Sequence, residues 1–135
     1  MYPGILLIDD DDDDQFIFLT ALEEVAPASH CDISNNALEA FKYLDTRIEV
    51  PDMIFLDLNM PLMNGFEFLL MLKSDPRFTA VQVFIFSTSD SPEDQDRAKE
   101  LGAIQFITKT PDIELLKKDL RFIFDNSGVM EPVIH

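Results

Sequence analysis

Asp57 stands directly after the apolar stretch Met53-Ile54-Phe55-Leu56, and six consecutive aspartates, Asp9 to Asp14, stand directly after another, Ile5-Leu6-Leu7-Ile8. Carboxylates this crowded repel, and each pKa rises unless a cation or hydrogen-bond donor compensates. Two further apolar stretches also end in polar groups: Val81 to Phe86 runs into Ser87-Thr88-Ser89, and Ile104 to Ile107 is followed by Lys109. Carboxylates, a hydroxyl and an ammonium gathered in one crevice suit a hard cation and an anionic group bound together, Mg2+ with phosphate being the natural pair. Mg2+ takes oxygen ligands, keeps several waters and commonly uses one or two carboxylates alongside phosphate oxygens. A carboxylate such as Asp57 can also attack phosphorus, provided that metal, lysine and hydroxyl groups neutralise the transferring charge. Asp11 to Asp14 read differently, as a solvated face or the acidic first turn of a helix, where the macrodipole favours negative charge.

The elements that must position these residues alternate along the chain. Strands are expected at Ile5 to Ile8, weakly at Cys31 to Ile33, and at Met53 to Leu56, Val81 to Phe86 and Ile104 to Ile107. Between them, Phe16, Leu19, Leu22 and Val25 predict a helix ending before Pro27, and Leu38, Phe41 and Leu44 predict another after the turn Ser34-Asn35-Asn36. A loop holding Pro61 and Gly65 leads into a helix over Phe66 to Lys73, and a turn follows at Pro76. Ser91 caps a helix that begins at Pro92, reaches Leu101 and stops at Gly102. The last helix carries Ile113, Leu116, Leu120 and Ile123 on one face, with Lys117, Lys118 and Arg121 outside it. Near-continuous apolar strands alternating with helices describe an α/β protein with a parallel sheet covered on both faces. In such sheets the ligand site lies beyond the carboxyl ends of the strands, which here means Asp9, Asp10, Asp57, Ser87 and Lys109.

Composition narrows the partners. A chain of 135 residues with 47% hydrophobic content fills one domain. Its net charge of −16 makes nucleic acid and anionic membranes poor partners and favours basic ones. Cys31 is the only cysteine, so no intramolecular disulfide is expected. His30 and His135 have no companions at ligand spacing, which argues against a soft-metal site. Neither a signal peptide nor a membrane span is evident, and a cytoplasmic setting is expected.

Together these residues resemble the receiver domains of two-component response regulators. The resemblance runs from about Ile5 to about Asp125 and rests on ILLIDD, FLDLNMP followed by Gly65, FIFSTS and GAIQFITK, in family order. It implies a flavodoxin-like, doubly wound, five-stranded parallel sheet of order 2-1-3-4-5, with a receiver over residues 1–125 and a C-terminal tail over 126–135. It further implies that Asp57 accepts the phosphoryl group and that Asp9, Asp10, Asp57 and the backbone carbonyl of Asn59 hold Mg2+. Lys109 would bind the phosphate, Ser87 and Phe106 would form the switch, and Asn59 and Ser89 would tune dephosphorylation. The implied partners are a histidine kinase or histidine phosphotransfer protein and a downstream protein target reached by contact from a monomer or weak dimer. The chain departs from the family pattern twice: Thr110 separates Lys109 from Pro111, and Phe106 stands where tyrosine is common.

Two other classes share parts of this pattern. A haloacid-dehalogenase-type phosphatase also uses an aspartate nucleophile, a hydroxyl, a lysine and Mg2+, but wants an acid where Asn59 stands and an acid pair downstream of the lysine. A phosphorylation-independent binding module would keep the fold and usually lose an acid or the lysine; here both remain. Calcium binding by the aspartate run lacks the loop glycine and terminal glutamate of an EF-hand.

Overall fold

In the computed structural model, which describes residues 3–126, the alternation expected from the sequence becomes five parallel strands and five helices. In chain order these are β1 (Gly4–Ile8), α1 (Asp12–Val25), β2 (His30–Ser34), α2 (Ala37–Thr46), β3 (Met53–Leu56), α3 (Gly65–Lys73), β4 (Gln82–Ser87), α4 (Pro92–Glu100), β5 (Gln105–Thr108) and α5 (Ile113–Asn126). A single 3-10 turn, Pro76–Phe78, lies between α3 and β4. The strands pair in the order β2-β1-β3-β4-β5, all parallel, which is the doubly wound order implied by the resemblance.

Successive side chains of a strand point to opposite faces, so uniformly apolar strands fill two cores at once. Leu6, Ile8, Ile54, Leu56, Val83 and Ile85 pack with α2, α3 and α4 on one face. Ile5, Leu7, Phe55, Phe84, Phe86 and Ile107 pack with α1 and α5 on the other. Phe18 of α1 anchors this second core, its ring centroid 4.8 Å from that of Phe55 and 5.6 Å from that of Phe86.

The buried helix faces differ from those expected. α1 buries Phe18, Ala21 and Leu22, and leaves Phe16 70% exposed. The reason is geometric: at about 100° per residue, a strict threefold spacing drifts around the helix, so Phe16 and Val25 end on opposite sides. In α2 likewise, Ala37, Ala40 and Leu44 face the core while Leu38 is exposed. Lys117, expected outside the packed face of α5, is buried. Its stem lies in the seam between α5 and α1, and its ammonium pairs with Glu114 and reaches across to Glu24. At the strand ends, β5 begins at Gln105 and Ile104 is exposed. α5 extends through Asn126, one residue into the stretch expected as tail; Ser127 to His135 lie outside the described residues. Cys31 is half-buried in β2, where burial, reinforced by the Asp32 charge, pushes its thiol up to about 12, as befits a small packing residue.

The helix starts are fixed by side-chain caps. Asp11 accepts from the backbone N–H groups of Asp13 and Asp14, Asn36 from that of Glu39, and Ser91 from that of Asp94. Asn64 and Glu67 form a reciprocal capping box at α3, the helix that follows the Asp57 loop. Asn64→Ala is therefore expected to cost about 1 kcal/mol, seen as a lower urea midpoint with an unchanged slope. Gly102 ends α4 with a φ of 110°, the left-handed conformation that glycine adopts without penalty.

Candidate functional site

Main-chain hydrogen bonds extend past the strand ends and set the site residues in place. Asp57 N–H donates to the carbonyl of Ile8 (2.9 Å), Asp9 N–H to that of Ser34 (3.1 Å), and Lys109 N–H to that of Ser87 (2.7 Å). Asp9, Asp57 and Lys109 thus leave the sheet from backbone positions held by the neighbouring strand. Gln15 of α1 adds a hydrogen bond from Nε2 to the Asp9 carbonyl, 2.7 Å long.

The side chains converge. One carboxylate oxygen from each of Asp9, Asp10 and Asp57 lies within 4.8 Å of the others, Asp9 and Asp57 being buried and Asp10 exposed. Lys109 Nζ, on a side chain only 8% exposed, sits 2.8 Å from Asp9 Oδ2, 2.8 Å from Asp14 Oδ2 and 3.5 Å from Asp57 Oδ2. Asp9 Oδ1 accepts from Asp11 N–H (2.9 Å), and Asp57 Oδ1 accepts from Asn59 N–H (3.4 Å). The fully buried Ser87 Oγ accepts from Ser89 N–H at 3.4 Å, and Ser89 Oγ donates to Asp94 Oδ2 of α4 at 2.7 Å.

Phe106, on β5, is half-buried against the core formed with α2, α3 and α4 and borders a groove lined by Ala98 and Lys99. The peptide between Lys109 and Thr110 is trans.

Electrostatics follow from this packing. Burial pushes the Asp57 carboxyl up to about 6; the Asp9 charge adds to the rise, while Lys109 and the Asn59 N–H oppose it. Burial likewise raises Asp9, against the pull of Lys109 and the Asp11 N–H. For Lys109, burial disfavours the ammonium, but Asp14, Asp9 and Asp57 outweigh it and hold its pKa above the ordinary lysine range.

An all-oxygen donor set with surplus negative charge suits a hard dication. Asp9 Oδ2, buried beside Lys109, makes no hydrogen bond of good geometry and retains an acceptor lone pair.

Asp9, Asp10, Asp57, Ser87 and Lys109, expected beyond the strand ends, do gather at one end of the sheet. Asp14 joins them unexpectedly. Asp11, Asp12 and Asp13 are exposed, as expected of a capped acidic turn, but Asp14 turns inward to Lys109. A signal existed in the cap: with Asp11 as N-cap, Asp14 is the third helical residue, and helical side chains lean back toward the N-terminus.

The model of the response regulator receiver domain matches residues 5–121 of this chain. The chain belongs to that family. The receiver is similar to PilH of Pseudomonas aeruginosa, with 35% identity over 77 residues, 57% of this chain and 64% of PilH. It is also similar to chemotaxis protein CheV3 of Helicobacter pylori, 34% identical over 87 residues, 64% of this chain but only 28% of that protein. The receiver therefore spans less than two thirds of either relative. Among solved structures, the phosphorylated cyanobacterial phytochrome response regulator RcpA superposes with a TM-score of 0.83 at 28% identity, over 93% of each chain. The Mn2+-bound form of response regulator Rcp1 shares the fold, with a TM-score of 0.81 at 24% identity over 98% of this chain and 99% of that one. As a receiver domain, the chain has the fold and family of two-component signalling proteins. Among the described residues no helix is long and apolar enough to cross a membrane.

Proposed function

We propose that this receiver accepts a phosphoryl group on Asp57 from a phosphohistidine of a histidine kinase or histidine phosphotransfer protein, and passes the signal on by contact with a protein target. The observation that carries this reading is a buried carboxylate at the end of β3, flanked by two further acids and an ammonium 3.5 Å away. Asp57 Oδ attacks phosphorus in line, the P–N bond breaks, and the departing imidazole nitrogen keeps the electron pair. Asp9, Asp10, Asp57 and the Asn59 carbonyl are the groups to hold Mg2+, which would supply charge neutralisation for the phosphoryl oxygens. Lys109 donates to one of those oxygens and Ser87 to another. Drawing Ser87 inward lets Phe106 repack beside α4, so that a local charge event biases a two-state face.

Water then attacks phosphorus, the P–O bond to Asp57 breaks with its electron pair left on the carboxylate, and inorganic phosphate departs; Asn59 and Ser89 are the residues we assign to setting the lifetime. The chemistry is self-phosphotransfer and autodephosphorylation in a cytoplasmic phosphorelay, carried out by a monomer or weak dimer, without turnover of a free substrate.

The test is the intact mass of wild type and Asp57→Asn after incubation with Mg2+ and acetyl phosphate. One phosphoryl group, gained only by wild type and only with metal, is the expected result. No gain in folded wild type would sink the reading and favour a phosphorylation-independent module, whereas steady hydrolysis of a small phosphomonoester would favour a phosphatase.

A further inference from the structure

Lys109 is closer to α1 than to the residue it is proposed to serve. Its ammonium hydrogen-bonds Asp14 Oδ2 at 2.8 Å, while Asp57 Oδ2 lies at 3.5 Å. The two partners are 95 residues apart in sequence, yet Lys109 is nearly buried and Asp14 only partly exposed. This is unlike an exposed surface pair, in which solvent dilutes the attraction. The Asp11 cap fixes the first turn of α1 and so fixes where the Asp14 carboxylate stands.

We infer that Asp14 is a positioning residue that competes with Asp57, and with the phosphoryl group Asp57 receives, for the Lys109 ammonium, and thereby slows phosphoryl transfer. The inference rests on the phosphoacceptor reading above. An ammonium has three N–H donors and one unit of charge. The donors can be shared with Asp9 and Asp14, but every carboxylate that shares them lowers the positive potential met by an incoming phosphoryl dianion. Asp14 also adds negative charge beside Asp9 and Asp57, which favours a bound dication. Removing its charge therefore has two effects of opposite sign, faster phosphorylation and weaker Mg2+ binding, a pair that a purely structural ion pair would not produce.

The test compares wild type with Asp14→Asn, which keeps the side-chain shape and one acceptor, and with Asp14→Ser as a second neutral replacement. Asp13→Asn, which removes the same charge from the exposed side of the same turn, is the control. Phosphorylation by acetyl phosphate is followed at saturating Mg2+, and Mg2+ binding is measured separately by calorimetry. In the acetyl phosphate reaction Asp57 Oδ attacks phosphorus and acetate leaves with the electron pair of the broken P–O bond. Either Asp14 variant is expected to be phosphorylated roughly three- to tenfold faster and to bind Mg2+ several-fold more weakly, with Asp13→Asn within about twofold of wild type in both. Rates for the Asp14 variants equal to the control, or slower than wild type, would overturn the inference while leaving the phosphoacceptor reading intact. A folded wild type that gains no phosphoryl group would overturn both.

Discussion

In metal-free buffer at pH 7, Asp57→Asn is expected to be more stable than the wild-type chain by about 2 to 3 kcal/mol, although it cannot accept a phosphoryl group. The folded-state pKa of Asp57 is raised to about 6, mainly by burial, whereas an unfolded aspartate titrates near its ordinary 3.9. Between these values the native state binds the extra proton, so stability falls as the pH rises through the window from about 4 to about 6. Below it both states are protonated and the effect of Asp57 vanishes; above it the cost is fully present. Asparagine carries no charge and avoids the cost. Asp9, also raised by burial, pushes stability in the same direction, and neutralising Asp57 additionally relieves the repulsion between the two carboxylates.

Thermal unfolding of the pair at pH 4 and pH 7 should show curves that converge at the lower pH and separate at the higher. Saturating Mg2+ at pH 7 should close the gap, because ligand binding to the native state stabilises by RT ln(1 + [L]/Kd), about 2.7 kcal/mol at one hundred times Kd, a gain as large as the cost, and the variant lacks a ligand. Equal stability at pH 7 without metal would show that Asp57 is not held in the buried, acid-crowded setting described.

Gly65→Ala is expected to cost about 3 kcal/mol and to slow phosphorylation, because a methyl group there meets backbone rather than a pliable side chain. A Cβ on Gly65 would lie 2.5 Å from the Asp57 carbonyl oxygen and 2.8 Å from Leu58 Cα. The first turn of α3 is also tied to this loop by a hydrogen bond from Gly65 N–H to the Leu58 carbonyl, 2.9 Å long. Relief requires α3 to back away from β3 or the Asp57 loop to shift, and either movement disturbs the carboxylate. Gly4→Ala serves as the comparison, since its Cβ would meet nothing closer than 3.8 Å and should leave stability nearly unchanged. Urea unfolding and the acetyl phosphate rate measure both effects. A Gly65→Ala protein as stable and as reactive as wild type would mean that the close approach of α3 to Asp57 is dispensable.

The parts of this fold that are legible in the sequence are those where one physical preference outweighs all others. Short apolar runs such as Met53 to Leu56, bounded at once by polar residues, suit a strand buried on both faces, and the polar residues that end them locate the candidate site. Where two preferences compete, the sequence is ambiguous. Phe16 and Leu38 are large and apolar, yet the helix rotation that buries Phe18 and Ala40 exposes them. Lys117 has a charge that wants water and a stem that wants the core, and the acids on α1 and α5 satisfy both. Asp14 is hidden among five identical neighbours, because composition does not distinguish residues that only the phase of a helix separates.

The main-chain bonds that hold Asp9, Asp57 and Lys109 are blind to the side chains they carry. Position at this site is therefore a property of the sheet, whereas reactivity is a property of the residue, and one can be edited without the other. On the proposed function, a chain altered only at Asp57 would still present an intact docking surface to its kinase. Expressed beside the wild type, it would act as a dominant decoy that occupies the phosphodonor and carries nothing away.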